Sequence, residues 1–138
     1  MSWWIYAFGS ALAAGATAIL AKIGVRDVPS NLATAIRTVV ILLFAWGIAL
    51  APGLPAFDKI SGKTWLFLVL SGLATGASWL CYFRALKLGD ASRVAPVDKL
   101  SVVVAMALAV AFLGERLSWQ QWLAGLLIVS GALLLAYT

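Results

Sequence analysis

Five runs of about 20 mostly apolar residues follow one another along the chain, at Trp3 to Ala21, Leu32 to Ala51, Thr64 to Ala85, Val94 to Leu113 and Trp119 to Tyr137. Crossing ~30 Å of hydrocarbon as an α-helix takes about that many residues, and so many such runs leave too little polar surface for a water-soluble domain. In lipid every backbone amide has to be paired inside the protein, so each run is expected to be helical. The expected fold is all-α, a polytopic integral membrane bundle of five transmembrane helices forming a single domain over residues 1–138.

Composition points the same way. Hydrophobic residues make up 64% of the 138 residues and charged ones 11%, and many of the seven tryptophans stand near the ends of apolar runs, where an indole sits between headgroups and hydrocarbon. The formal charge of +5 comes from scattered lysines and arginines rather than a basic stripe. The lipid bilayer, not nucleic acid, is therefore the expected partner. With no histidine the chain lacks imidazole bases and the common histidine metal sites, and no cofactor is expected. Cys81 stands alone, which excludes an internal disulfide. Met1 to Trp4 carry no lysine or arginine, so the first run is read as a retained helix despite the alanine-rich stretch from Ala11 to Ala21.

The breaks between runs carry turn chemistry: Pro29-Ser30-Asn31, Pro52-Gly53-Leu54-Pro55, Gly89-Asp90-Ala91-Ser92, and Gly114 at a helix C-terminus. Ser118 followed by Gln121 reads as a capping box for the fifth helix. Short connections favour antiparallel neighbours. Because lipid gives no hydrophobic drive between helices, packing is expected at small-residue pairs: Gly72 with Gly76, Gly9 with Ala13, and Ala105 with Ala109. Each pair serves either packing within the chain or contact with a second copy.

Alternating helices place Lys22, Arg26, Arg84, Lys87 and Arg93 on one side and Lys59, Lys63 and Arg116 on the other. The positive-inside rule then favours an external N-terminus, by a margin small enough to be compatible with insertion in both orientations.

An ionisable group at the middle of the hydrocarbon costs about 2.5 to 3.5 kcal/mol on insertion scales, so charges within the spans are the first candidates for function. Arg37 in the second run and Asp98 in the fourth each lie about six residues past the preceding turn, roughly 9 Å deep at 1.5 Å per residue. Trp79 reaches a similar depth from the end of the third run, with Tyr82 one turn nearer the surface. Ser101 shares the Asp98 face, and Lys99 is rotated away by about 100°. Arg37, Trp79, Tyr82, Asp98, Lys99 and Ser101 are accordingly the candidate lining of a transport path. The alternatives are structural: Arg37 and Lys99 snorkelling to headgroups, an Arg37–Asp98 pair that only ties two helices together, and aromatic rings that only pack. Pro96 either starts the fourth helix or kinks it, leaving carbonyls near Ser92 unpaired.

With these residues in place, the chain resembles the EamA type of the drug/metabolite transporter superfamily along essentially its whole length. The likeness rests on Ala91-Ser92-Arg93-Val94-Ala95-Pro96, on Leu113-Gly114-Glu115-Arg116-Leu117-Ser118 with Gln121, Gly125 and Gly131, and on Ala35-Ile36-Arg37. Members of that family usually carry two five-helix repeats in inverted orientation, whereas this chain has one. The resemblance implies a secondary transporter or exporter of small metabolites or drugs, alternating access in a dimer, and a multi-pass location in the bacterial inner membrane. The second half would be another copy, antiparallel if the chain inserts both ways, or a paralogous partner. The related small multidrug resistance proteins place a glutamate in their first helix, and Trp3 to Ala21 has no acidic residue. Asp98 is thus the one carboxylate within a span. The alternative function is a non-transporting subunit that scaffolds or regulates a larger membrane complex. An enzyme is not expected, since no acidic pair, phosphate loop or metal-ligand cluster is present.

Overall fold

The computed structural model describes residues 2–54, 57 and 60–137. Pro55, in the turn read after the second run, and Lys59, counted in the charge balance, lie outside the described residues. The chain is helical throughout its apolar runs: α1 (Trp3–Gly24), α2 (Ser30–Leu50), α3 (Gly62–Leu88), α4 (Ala91–Asp98), α5 (Ser101–Leu108), a π-helical turn at Ala109–Leu113, and α6 (Trp119–Tyr137). Five stretches are long and apolar enough to cross a membrane, with α4, α5 and the π turn forming one of them, Ala91–Leu113.

The helices extend past the apolar runs. α1 reaches Gly24, α2 starts at Ser30 and α3 spans Gly62–Leu88, because an apolar run marks hydrocarbon whereas backbone pairing continues into the headgroup zone. Ends are closed as the residue types suggest. Gln121 N–H donates to Ser118 Oγ at 3.3 Å and Ser118 N–H donates to Gln121 Oε1 at 2.7 Å, a complete capping box. Thr64 N–H likewise donates to Ser61 Oγ at 3.1 Å, ahead of α3. Gly114 sits at φ 68°, the left-handed C-cap conformation that a side chain disfavours, and Glu115 N–H returns to Ala109 O at 3.3 Å.

The fourth span departs from a plain helix. It begins at Ala91, with Val94 N–H on Asp90 O at 2.9 Å, so Pro96 falls beyond the first turn, where it has no amide for the Ser92 carbonyl. Of the two roles open to Pro96, the structure shows the interruption. Three residues later α-helical pairing gives way to i to i−3 bonds, Lys99 N–H to Pro96 O and Leu100 N–H to Val97 O, both 3.0 Å. A tightened turn in mid-span is a common mark of a functional hinge.

The chain divides into two compact units, Ala21–Lys87 and Met1–Leu20 with Leu88–Thr138. In the first, Val25 and Leu86 are fully buried. Lys22 Nζ donates to Leu86 O at 2.7 Å and Lys87 Nζ donates to Val28 O at 2.6 Å, so the end of α3 and the α1–α2 connection hold each other through ammonium groups and carbonyls. In the second, α4 and α5 pack on α6. There Gly125 is the point of close approach: a Cβ built on it would lie 3.3 Å from Met106 Cε and 3.8 Å from Val103 Cγ2. Gly9, Gly72 and Gly76 have no described neighbour within 4 Å of such an atom, so within the chain the close packing falls at Gly125, and contact with a second copy is the role left to those pairs.

Polarity is distributed as a bilayer demands. Ser30 and Thr34 are buried, while Leu12, Phe44, Leu73 and Leu126 are exposed. In lipid, apolar side chains gain nothing from the interior and polar groups gain a great deal.

Candidate functional site

In the Ala21–Lys87 unit, one face of α2 carries a polar stripe at Ser30, Thr34 and Thr38, four residues apart, with Arg37 three residues after Thr34 and so on the same side of the helix. Thr34 Oγ donates to Ser30 O at 3.0 Å and Thr38 Oγ donates to Thr34 O at 2.8 Å. These hydroxyls answer carbonyls of their own helix, which is how threonine is accommodated in apolar surroundings. Arg37 instead reaches across to α3. Its guanidinium carbon lies 4.3 Å from the centroid of the Trp79 ring and 5.4 Å from that of Phe83.

Trp79 and Phe83 are one turn apart on α3 and form a two-ring platform for the cation. A desolvated stack of this kind contributes about 2 kcal/mol, against 0.5 to 1 kcal/mol for an exposed one. Among the sequence candidates, Arg37 and Trp79 are therefore brought together. Tyr82 stands beside the platform, edge-on to Phe83 with centroids 6.5 Å apart. Phe83 is an addition to the candidates. Its signal in the sequence is the i, i+4 spacing from Trp79, which places both rings on one face of α3.

The remaining candidates belong to the other unit. Asp98 ends α4 and Lys99 follows it in the tightened turn. Lys99 Nζ comes back to Asp98 Oδ2 at 3.3 Å, with both side chains partly exposed. The rotation between consecutive residues, expected to point Lys99 away from the Asp98 face, is overcome by the length of the lysine stem. Ser101 opens α5 just past the break. With three residues per turn, positions i and i+3 come into line, so the tightened turn keeps Ser101 beneath Asp98.

Chemically, these positions offer a fixed cation on aromatic faces in one unit and a carboxylate with its own counter-ion at a helix break in the other. Among the described residues no group of three or more acidic or cysteine side chains could hold a metal.

Comparison with known proteins accords with the resemblance read from the Gly114-Glu115 turn and the Arg37 segment. The pattern of the EamA-like transporter family matches residues 1–137. A Sinorhizobium sp protein named "Uncharacterized transporter in cobO 3'region" is 57% identical over 136 residues, covering 98% of this chain and 96% of the relative. No solved structure matches the chain.

Proposed function

Since this chain belongs to the EamA-like transporter family and is a multi-pass membrane protein of five spans, we propose that it is a secondary transporter that moves a small metabolite or drug by alternating access. The residues proposed to serve that movement are Arg37, Trp79 and Tyr82 in one unit and Asp98, Lys99 and Ser101 in the other. The observation that carries this reading is the Arg37 guanidinium held inside an apolar span against two aromatic rings, since charge in a span is retained where a path needs it. The break after Pro96 supplies the second element, because transporters bind and rock at discontinuous helices.

A single five-helix repeat completes such a path by pairing. The functional unit in this reading is a dimer, of two copies in opposite orientations or of one copy with a paralogous partner, in the bacterial inner membrane. The abundance of exposed large apolar side chains is compatible with a partner as well as lipid. A C-terminal reporter active on one side of the membrane alone would remove the antiparallel homodimer.

Transport can be tested before the substrate is identified. Spent medium from cells expressing the chain is compared by untargeted mass spectrometry with medium from cells expressing Asp98→Asn or Arg37→Gln variants inserted at equal levels. At least one metabolite is expected to accumulate with the wild type and to fall tenfold or more with each variant, about 1.4 kcal/mol in transition-state terms. Full export by both variants removes the proposed path. Absence of any expression-dependent metabolite, together with co-purification of a fixed unrelated partner, would favour the scaffolding role.

A further inference from the structure

The Arg37 guanidinium has five N–H donors and no accepting group of its own. Stacking on Trp79 and Phe83 engages its faces, but the donors point outward in its plane, toward the edge. Within its unit the described carboxylate, Asp27, lies in the α1–α2 connection, and the described spans offer neutral hydroxyls rather than an anion, those of Thr34 and Thr38 on its own helix and of Tyr82 beside the platform. Arg37 is about seven residues into α2, roughly 10 Å from its start. Within a span a cation without an anion beside it is expensive, so an anionic partner is called for.

A planar fork with its faces covered and its edge open has the geometry that receives two oxygens of a carboxylate or phosphate side by side. The aromatic rings fix the plane of the fork, so little side-chain entropy remains to be lost on binding. We infer that the edge of Arg37, braced by Trp79 and Phe83, is an oxyanion-binding subsite. This deepens the transporter reading and rests on it for its consequence, that the transported solute carries a carboxylate or phosphate. The oxyanion itself has two sources, a solute or the headgroup of an anionic lipid.

The experiment uses the full chain purified in an uncharged maltoside detergent. Thermal unfolding is followed in sodium phosphate and in sodium chloride at equal ionic strength, for the wild type and for Arg37→Gln, Arg37→Lys and Trp79→Phe. Subtracting the Arg37→Gln difference removes the general stabilising effect of phosphate on proteins. Phosphate is expected to raise the wild-type Tm by about 3 °C more than it raises that of Arg37→Gln, with a smaller rise for Arg37→Lys, which keeps the charge and loses the fork. Should Arg37→Gln fail to fold, the same comparison is made between the wild type and Arg37→Lys. A parallel titration with phosphatidylglycerol separates the sources: an Arg37-dependent rise with the lipid and none with phosphate assigns the oxyanion to a headgroup, and the converse assigns it to a solute.

An equal response of the wild type and the Arg37 variants in both arms overturns the subsite. Its failure is separable from that of the transport reading. Export lost in Arg37→Gln with no Arg37-dependent anion effect leaves the path and removes the subsite, whereas an intact anion effect with full export by Arg37→Gln leaves the subsite and takes Arg37 off the path.

Discussion

The two units hold their buried-zone charges in opposite ways. In Ala21–Lys87 a cation on α2 is fixed by rings on α3, so its position depends on two helices remaining in place. In the other unit Asp98 is met by its immediate neighbour in sequence, at a turn where helical pairing has already been interrupted. A long-range stack is rigid because moving it means moving a helix. A neighbour pair at a hinge survives rotation of either helical half, since both partners travel together. In the transport cycle proposed above, the contrast would separate a fixed element from an adaptable one, a division of labour suited to alternating access.

Several substitutions would break or sharpen that contrast. The largest effect on stability is expected at Leu86, which is 0% exposed at the end of α3. Leu86→Ala should destabilise by about 2 kcal/mol, the low end for such a truncation because lipid makes the unfolded reference apolar too. Unfolding in mixed micelles by titration with sodium dodecyl sulfate measures it, and an effect below about 0.5 kcal/mol would show that the stacked unit is not the rigid one.

Next comes the hinge. Pro96→Ala restores an amide opposite the Ser92 carbonyl and is expected to keep or raise stability while lowering export about tenfold. Unchanged export would mean that the break has no part in the cycle. Gly125→Ala then probes the packing against α6. Met106 is a flexible side chain that can give by a few tenths of an ångström, so a loss of about 1 kcal/mol is expected in the same titration. A larger loss would make this unit the stiffer of the two and reverse the comparison. The smallest effect is expected at the capping box, where Ser118→Ala removes one side-chain acceptor at the start of α6 and should cost about 0.5 to 1 kcal/mol. Slower amide exchange at Gln121 in that variant would contradict it.

Much of this architecture is legible in the residues. The five spans follow from run length, and the caps at Ser118 and Gly114 follow from residue types that suit those positions. The extra turns at the helix ends are not legible, because hydropathy stops where snorkelling side chains begin. Arg37 with Trp79 is readable from depth counted along two helices of one hairpin. Phe83 is harder to single out than Tyr82, since a tyrosine hydroxyl advertises chemistry while only spacing marks the phenylalanine beside it. The effect of Pro96 depends on where α4 begins, and a shift of three residues turns a tolerated starter into an interruption. Gly72 and Gly76 do not tell which surface they pack against, because a small-residue motif states only that approach is permitted. Whether a neighbour takes the opening depends on which side chain faces it, as Met106 does at Gly125.

Lys22 and Lys87 have a consequence for how such a chain could evolve its orientation. Both contribute to the charge imbalance that the translocation machinery reads, and both also grip backbone oxygens near the end of α3 and in the α1–α2 connection. Removing either to invert the protein would loosen that hairpin at the same time. Drift toward the opposite orientation is thereby channelled onto cations not engaged in this clasp, and a duplicated copy specialising in one direction would be expected to keep these two lysines while exchanging others.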